Sequence, residues 1–597
     1  MEDRKIMVKA ATDSLEDFEQ LAIKAKEIGA THVFISALPH SRWQWELDLN
    51  DPYSNWGMPM VYLFKLYLPE ELHEFYPEPE EAQNNLNQLA AQYEILQKYG
   101  LSYALLLTEP FWFPNEVYRA HPTWRGPRID HPRRSRNLYY SPCIDNPEVL
   151  ELYRKSMEEI CKVVPIDYMF IKSNDAGAGV CWSTGLYAGR NGPTSCRERD
   201  MGDRIVGFLN AIKQGAADAG VDCILDFNAN MDLKENERVL DMVWPFAPDG
   251  VYINGRDNKG NPGKISVGNI TSTNSTPVSP VLDIPDVMRV AVQLSEIWNR
   301  EASALFCGVP STKLSEVYSV IGRFIENPAS DYVSAITLVK ALAADLVGEE
   351  HANDLFDLWR QIGLAFDDID HLRVSISMHG TIHQRWLTRP LVAFPDRLEP
   401  EERDYYRKYQ FQARTEEHAN DLMDMQGLDV IRGFSGTFLA TSTLEMAEGH
   451  FQKAITLAEN INEEGATEYA QSLEGLAIRL RACVCMLRNA INTARFQRYL
   501  DSYDPENPPI QKNDWPTPGD YRSVEIQNII RAEIENTEDL ISLIRGREHE
   551  VLWLTETKEE EDIFIYGPDI VELLDKKIDI MFKYFRESDE LFETGNI

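Results

Sequence analysis

The chain is 597 residues long, too long for one hydrophobic core, so two or more domains are expected. Its 43% hydrophobic and 26% charged residues are those of an ordinary globular protein, with no apolar run long enough for a transmembrane helix. The formal net charge of −37 argues against binding nucleic acid or an anionic membrane, since both depend on Lys and Arg.

In chain order, strand-like and helix-like segments alternate. Residues 6–12 read as a strand and 15–28 as an amphipathic helix stopped by Gly29. A second strand, 31–38, precedes an insertion bearing Trp43, Trp45, Tyr53 and Trp56, and a helix at 80–99 follows. The third strand, 101–108, is stopped by Glu109-Pro110 and opens a long aromatic and basic loop to Pro142. After a helix at 147–162, the fourth strand covers 167–173. Helix 203–219, strand 223–227, helix 235–243 and strand 251–254 continue the alternation. A Gly/Asn/Ser/Thr-rich span holds a seventh strand at 265–269, before helix 287–298, strand 304–307 and helix 315–325.

Eight strand–helix pairs with long loops after the strands spell an α/β fold of the TIM, or (β/α)8, barrel type. A doubly wound sheet is the alternative. From about residue 330 the periodicity becomes helical, with segments at 349–366, 400–425, 442–459, 468–493 and 521–544. The expected organisation is a barrel over residues 1–328 and an all-helical C-terminal domain over 329–597.

The richest stretch is DYMFIKSNDAGAGVCWSTGLYAGRNGP, Asp167 to Pro193. A buried strand there breaks into Asn174-Asp175 and a Gly-rich loop without a phosphate-binding glycine pattern. Trp182, Tyr187, Arg190 and Asn191 follow, a mixture of aromatic faces and hydrogen-bond donors that suits a sugar. Barrel enzymes carry catalytic groups at the C-terminal ends of strands, which selects Glu109, Asp175, Asp226 and Asp257. Convergent carboxyl groups are what glycosidic cleavage needs, one to protonate the departing oxygen and another to attack or stabilise the anomeric centre. Asp175 is the expected general acid, its pKa raised by burial, with Asp226 or Glu109 as nucleophile, base or charge stabiliser. Asn174 could orient an N-acetyl group in a substrate-assisted variant.

Sugar contacts are expected from Asn174, Trp182, Tyr187, Arg190, Asn228, Arg256 and Asp257, with Trp45 and Trp112 stacking on pyranose faces. The competing reading makes Asp257 a turn residue and half of the loop aromatics a mini-core. Arg119, Arg125, Arg128, Arg133, Arg134 and Arg136 crowd one loop, where they either pair with surplus acids or clamp an acidic sugar. His379 and His383 have helix-ligand spacing, but Gly380 stands where the zinc motif needs Glu, so neither metal nor other cofactor is expected. The eight cysteines lack a metal pattern and read as free thiols, although Cys181 and Cys196 could staple the key loop. The first residues show no signal peptide, which favours a cytoplasmic location. The helical region leaves a homodimer open.

The segment from Phe170 to Pro193, followed by a helix, resembles the central region of α-glucuronidase-type glycoside hydrolases, with strand, Lys, acidic-Gly turn, Gly-Pro and helix. The Asn174-Asp175 pair resembles the strand-four acidic pair of β-N-acetylhexosaminidase and O-GlcNAcase-type barrels. The motif-level likeness covers about residues 167–220 and implies a glycosidase acting on a complex glycan. Where the α-glucuronidase turn carries its general-acid Glu, this chain has Ala176. Either Asp175 has taken the role, or the chain is a noncatalytic glycan-binding barrel.

Overall fold

The sequence KIMVK forms the first strand, β1 (Lys5–Lys9), its three apolar residues buried and its lysines half-buried at either end. The structure, a computed structural model, describes residues 4–12, 14–35, 60–130, 137–173, 179–183, 191–228, 246–253, 255–261, 264–269, 278–298, 304–329, 331–376, 386–403, 433–501, 518–561 and 565–590. Helix Leu15–Glu27 follows β1. Ser14 caps its first turn by accepting from the Asp17 N–H at 3.1 Å, and Phe18, Leu21, Ala22 and Ala25 form its buried face. Gly29, at φ +75°, ends it.

The remaining strands appear in turn: β2 (His32–Ile35), β3 (Ser102–Thr108), β4 (Arg125–Arg128), β5 (Tyr140–Pro142), β6 (Tyr168–Lys172), β7 (Ile224–Asn228), β8 (Val251–Ile253), β9 (Lys264–Asn269) and β10 (Ala304–Gly308). All eight strands read from the sequence are present in the main sheet; β4 and β5 form a separate antiparallel pair. Helices Glu81–Tyr99, Pro147–Val163, Met201–Asp218, Val287–Trp298 and Ser315–Glu326 also match their expected positions. Asn146 and Asp200 supply side-chain caps to the second and third of these.

The eight-stranded sheet runs β8-β7-β6-β3-β2-β1-β10-β9, and its ladders are parallel. This is chain order wound cyclically: the first strand pairs with the last, and the two edges, β8 and β9, are consecutive in sequence. Right-handed crossovers that always step to the next strand curl such a sheet toward a barrel. No ladder joins β8 to β9 among the described residues.

Side chains alternate across each strand, so one face of the sheet gathers every second residue. Met7, Phe34, Ala104, Tyr168 and Ala304 form a core cluster there, with Leu106, Phe170, Ile224 and Phe306 against it. The rings of Phe34 and Phe306 meet edge-on at 4.7 Å. Full burial of a side chain such as Met7 or Phe34 contributes about 1.5–3 kcal/mol, so the cluster holds the strands in register. At the N-terminal end of the strands, Lys5 and His32 both bond Asp167, at 3.1 and 2.9 Å.

By its contacts the chain divides into one unit of Met1–Ile270 with Val292–Ala335 and another of Thr271–Ala291 with Ile336–Ile597. The second unit contains helices Ala352–Ile376, Gly433–Glu464, Glu468–Asp501, Pro518–Ile544 and Ile570–Lys583. The expected apolar face of Pro518–Ile544 is present: Ile526, Ile530, Ile534 and Ile541 are all buried. Glu533 and Lys577 form a wholly buried ion pair, with Asn489 and Asn492 donating to Glu533 at 2.7 and 2.8 Å. The helices expected at 235–243 and 400–425 lie outside the described residues, apart from the start of the latter. No helix among the described residues is long and apolar enough to cross a membrane.

Candidate active site

The face that carries the core cluster continues to the C-terminal ends of the strands, where it turns polar. Tyr168 and Phe170 belong to the cluster, so Lys172, two residues on, extends that face of β6. Ile224 does the same on β7 for Asp226 and Asn228, and Met7 on β1 for Lys9. Registers align these groups: Phe170 lies beside Asp226, Lys172 beside Asn228, and Lys9 beside Gly308. A carboxyl, an amide and two ammonium groups thus come from three strands of one face.

Asp226 is buried, 1% exposed. The Tyr168 phenol donates to its Oδ2 at 2.9 Å, and the Gly255 N–H, in the turn after β8, donates to its Oδ1 at 3.3 Å. Burial and the neighbouring Asp226 push the Tyr168 phenol well above its ordinary pKa, so it remains a donor. Asn228 ends β7 with its side chain exposed while its carbonyl accepts from Ser173 N–H at 3.0 Å.

Glu109 immediately follows β3 and is 0% exposed. Leu63 N–H donates to its Oε1 at 2.7 Å; Phe111 N–H and the Tyr153 phenol donate to its Oε2 at 3.2 and 2.9 Å. Burial pushes its carboxyl up to about 8 against the pull of these three bonds. It joins the β2–β3 insertion, the turn after β3 and helix Pro147–Val163. Trp112 is also buried, edge-on to Tyr76 at 6.1 Å, so this aromatic packs the loop.

The described parts of the β6 loop are tightly fixed. A Cβ on Gly179, at φ +65°, would stand 2.5 Å from Pro110 Cγ and 2.9 Å from the Pro110 carbonyl oxygen. Asn191 exchanges two bonds with the Arg128 backbone, at 2.8 and 2.7 Å, and its carbonyl accepts from Trp182 N–H at 2.9 Å. Trp182 has a left-handed φ of +67°; its indole N–H donates to the Pro193 carbonyl at 2.8 Å and Arg197 lies over its ring at 5.5 Å. Arg204 reaches the Cys181 carbonyl at 3.0 Å. Cys181 and Cys196, read as a conceivable staple, are free thiols, and all eight cysteines are buried.

The other expected contacts divide by location. Asp257 accepts from the N–H groups of Lys259 and Asn261 at 2.8 and 2.7 Å and from the Asn261 amide at 2.8 Å. Burial opposes it, but these bonds hold its carboxyl below the usual range, as a turn residue requires. Arg256 donates to the Gly260 carbonyl at 3.2 Å in the same turn. Arg119 pairs with Glu116 and Arg128 with Asp130, while Arg125 lies over Tyr140. Asn174, Asp175, Tyr187, Arg190 and Trp45, like Ala176, His379 and His383, lie outside the described residues. Lys9 and Lys172 were missed. Counting alternate positions from the buried apolar residues of their strands would have placed both on the inner face. Among the described residues, no group of His, Cys, Asp and Glu is arranged to hold a metal ion.

No family model matches the chain, and no curated protein matches it. By structure, all of it aligns with 69% of a GH138 enzyme targeting pectin rhamnogalacturonan II, at 10% identity and a TM-score of 0.54. Weaker likenesses include an O-GlcNAc hydrolase of Thermobaculum terrenum and the galactosidase domain of an α-galactosidase-sucrose kinase. The first covers 98% of this chain and 96% of that one at 10% identity, with a TM-score of 0.34. The second covers 54% of this chain and 40% of that one at 15% identity, with a TM-score of 0.31. The chain therefore shares its fold with that GH138 enzyme.

Proposed function

We propose that the chain is a glycoside hydrolase acting on a complex glycan or its oligosaccharides, with its active site at the C-terminal ends of the parallel strands. The observation that carries this reading is Asp226, a buried carboxyl on the inner strand face, held by Tyr168 and flanked by Lys172 and Asn228. The fold likeness to a GH138 enzyme supports the reaction class. In this reading β8 and β9 meet to close a (β/α)8 barrel, and the helical region from residue 329 onward forms the second domain.

Asp175, in the loop that leaves β6, is the proposed general acid, giving its proton to the departing glycosidic oxygen. Asp226 faces the anomeric carbon and stabilises or attacks the developing oxocarbenium ion. Asn228 bonds sugar hydroxyls, and Trp182, Tyr187, Arg190 and Asn174 contribute from the same loop. Glu109 serves as a positioning residue beneath the turn that supports this loop, a role its three bonds favour. The substrate is either an N-acetylhexosamine, with Asn174 orienting the acetamido group, or a uronic acid.

The test is a screen of the purified chain against aryl glycosides and a glycan library that includes uronic acids and N-acetylhexosamines, with Asp175→Asn in parallel. Turnover abolished by that substitution supports the enzyme. Binding without turnover in either protein establishes the noncatalytic glycan-binding reading that Ala176 favours.

A further inference from the structure

Lys9 stands apart from the other inward or buried lysines. Lys5 pairs with Asp167 at 3.1 Å, Lys65 donates to the Met60 carbonyl at 3.4 Å, and Lys577 is paired with Glu533. The Lys9 ammonium makes no hydrogen bond or ion pair among the described residues, and burial alone perturbs it, pushing it down to about 8. This occurs in a chain with 96 Asp and Glu against 59 Lys and Arg, where a carboxylate partner would be easy to supply. Drawing an ammonium partly out of water without a counter-charge is costly, a cost that a bound anion would offset.

Its position shows where that ligand would lie. Lys9 is the last residue of β1, two residues beyond Met7 of the core cluster, and so projects on the same inner face as Asp226 and Lys172. Its register partner on β10 is Gly308, which has no side chain to crowd the lysine stem.

We propose that Lys9 recognises an oxyanion carried by the glycan, a sugar carboxylate or sulfate ester. This proposal rests on the reading of the strand ends as a carbohydrate site. A neutral hydroxyl would leave the charge uncompensated, whereas an oxyanion both accepts the ammonium's hydrogen bonds and cancels its charge. Of the two substrate classes above, this favours the acidic sugar.

The test measures binding of the full chain to glucuronate- and galacturonate-terminated oligosaccharides, their carboxyl-reduced neutral counterparts, and 6-O-sulfated neutral oligosaccharides. Wild type should bind one of the charged sets about ten- to a hundredfold more tightly than its neutral counterpart, the range of a charge-assisted hydrogen bond. Which set is preferred distinguishes carboxylate from sulfate. Lys9→Met should erase that preference, so that charged and neutral glycans bind it alike. Lys9→Arg should retain most of it. Equal affinity of wild type for charged and neutral glycans overturns the proposal, as does a full preference in Lys9→Met. Turnover is read separately. A Lys9-dependent preference without turnover removes the hydrolase reading and leaves this one standing; turnover of neutral glycans alone does the reverse.

Discussion

The Tyr168 phenol reaches diagonally from β6 to β7 and donates to Asp226 Oδ2 at 2.9 Å. Its direct register partner is Ile224, two residues before the acid, so the bond ties a core position at the start of β6 to a polar one midway along β7. Tyr168→Phe keeps the ring and removes the donor. It should cost about 1–3 kcal/mol in urea unfolding, the range for a buried bond to a charged or strongly polar group. If Asp226 works as proposed, kcat should fall about tenfold with KM little changed. An unchanged kcat in the face of lost stability would reduce Tyr168 to a packing role.

Glu109 makes stability depend on pH. Its folded pKa is raised from 4.5 to about 8 by burial, so the folded chain holds a proton that the unfolded chain releases between those values. The stabilisation is complete below about 4.5 and is lost as pH rises through about 8. Glu109→Gln, which has no proton to lose, should lack this component, on the order of a few kcal/mol across the window. Melting curves of both proteins at pH 5 and pH 8.5 decide it: parallel losses would refute the assignment.

Gly179→Ala should be destabilising by about 1–3 kcal/mol, because the new methyl meets Pro110 and the left-handed backbone disfavours a side chain. Unfolding by denaturant gives the number. A stability equal to wild type would show that the β6 loop yields easily at Pro110.

The Glu533–Lys577 pair in the helical unit is fully enclosed, and burial lowers the Lys577 pKa despite its partner. Lys577→Met leaves Glu533 with its two Asn donors but no cation, and should cost about 3–5 kcal/mol. Replacing both partners by apolar residues should cost less than the single change, which a double-mutant cycle measures.

Much of this architecture was legible in the sequence because buried parallel strands are short apolar runs between helix caps and stop signals. Tyr168–Lys172 and Val287–Trp298 are examples, the latter matching at both ends. The hairpin of β4 and β5 was not legible, since Arg125–Arg128 carries Gly and Pro without alternation and pairs with only three residues. Helix Ile570–Lys583 was overlooked although Ile570, Leu574, Ile578 and Met581 give it a readable apolar face. At the site, the sequence marks Glu109 and Asp226 as acids at strand ends. It does not show that Leu63 N–H, 46 residues earlier, closes on the first. That bond depends on how the insertion folds back. Lys9 shows the same limit, because its value lies in the absence of a partner among the described residues, which only three dimensions reveal.

The most direct measurement is the turnover and affinity of Asp226→Asn on the best substrate found for wild type. The substitution keeps size and an acceptor for Tyr168 while removing the acid. The proposed hydrolase predicts a kcat reduced about a thousandfold or more, with the dissociation constant changed less than about threefold. Undiminished turnover would contradict the assignment of the active site to this strand face.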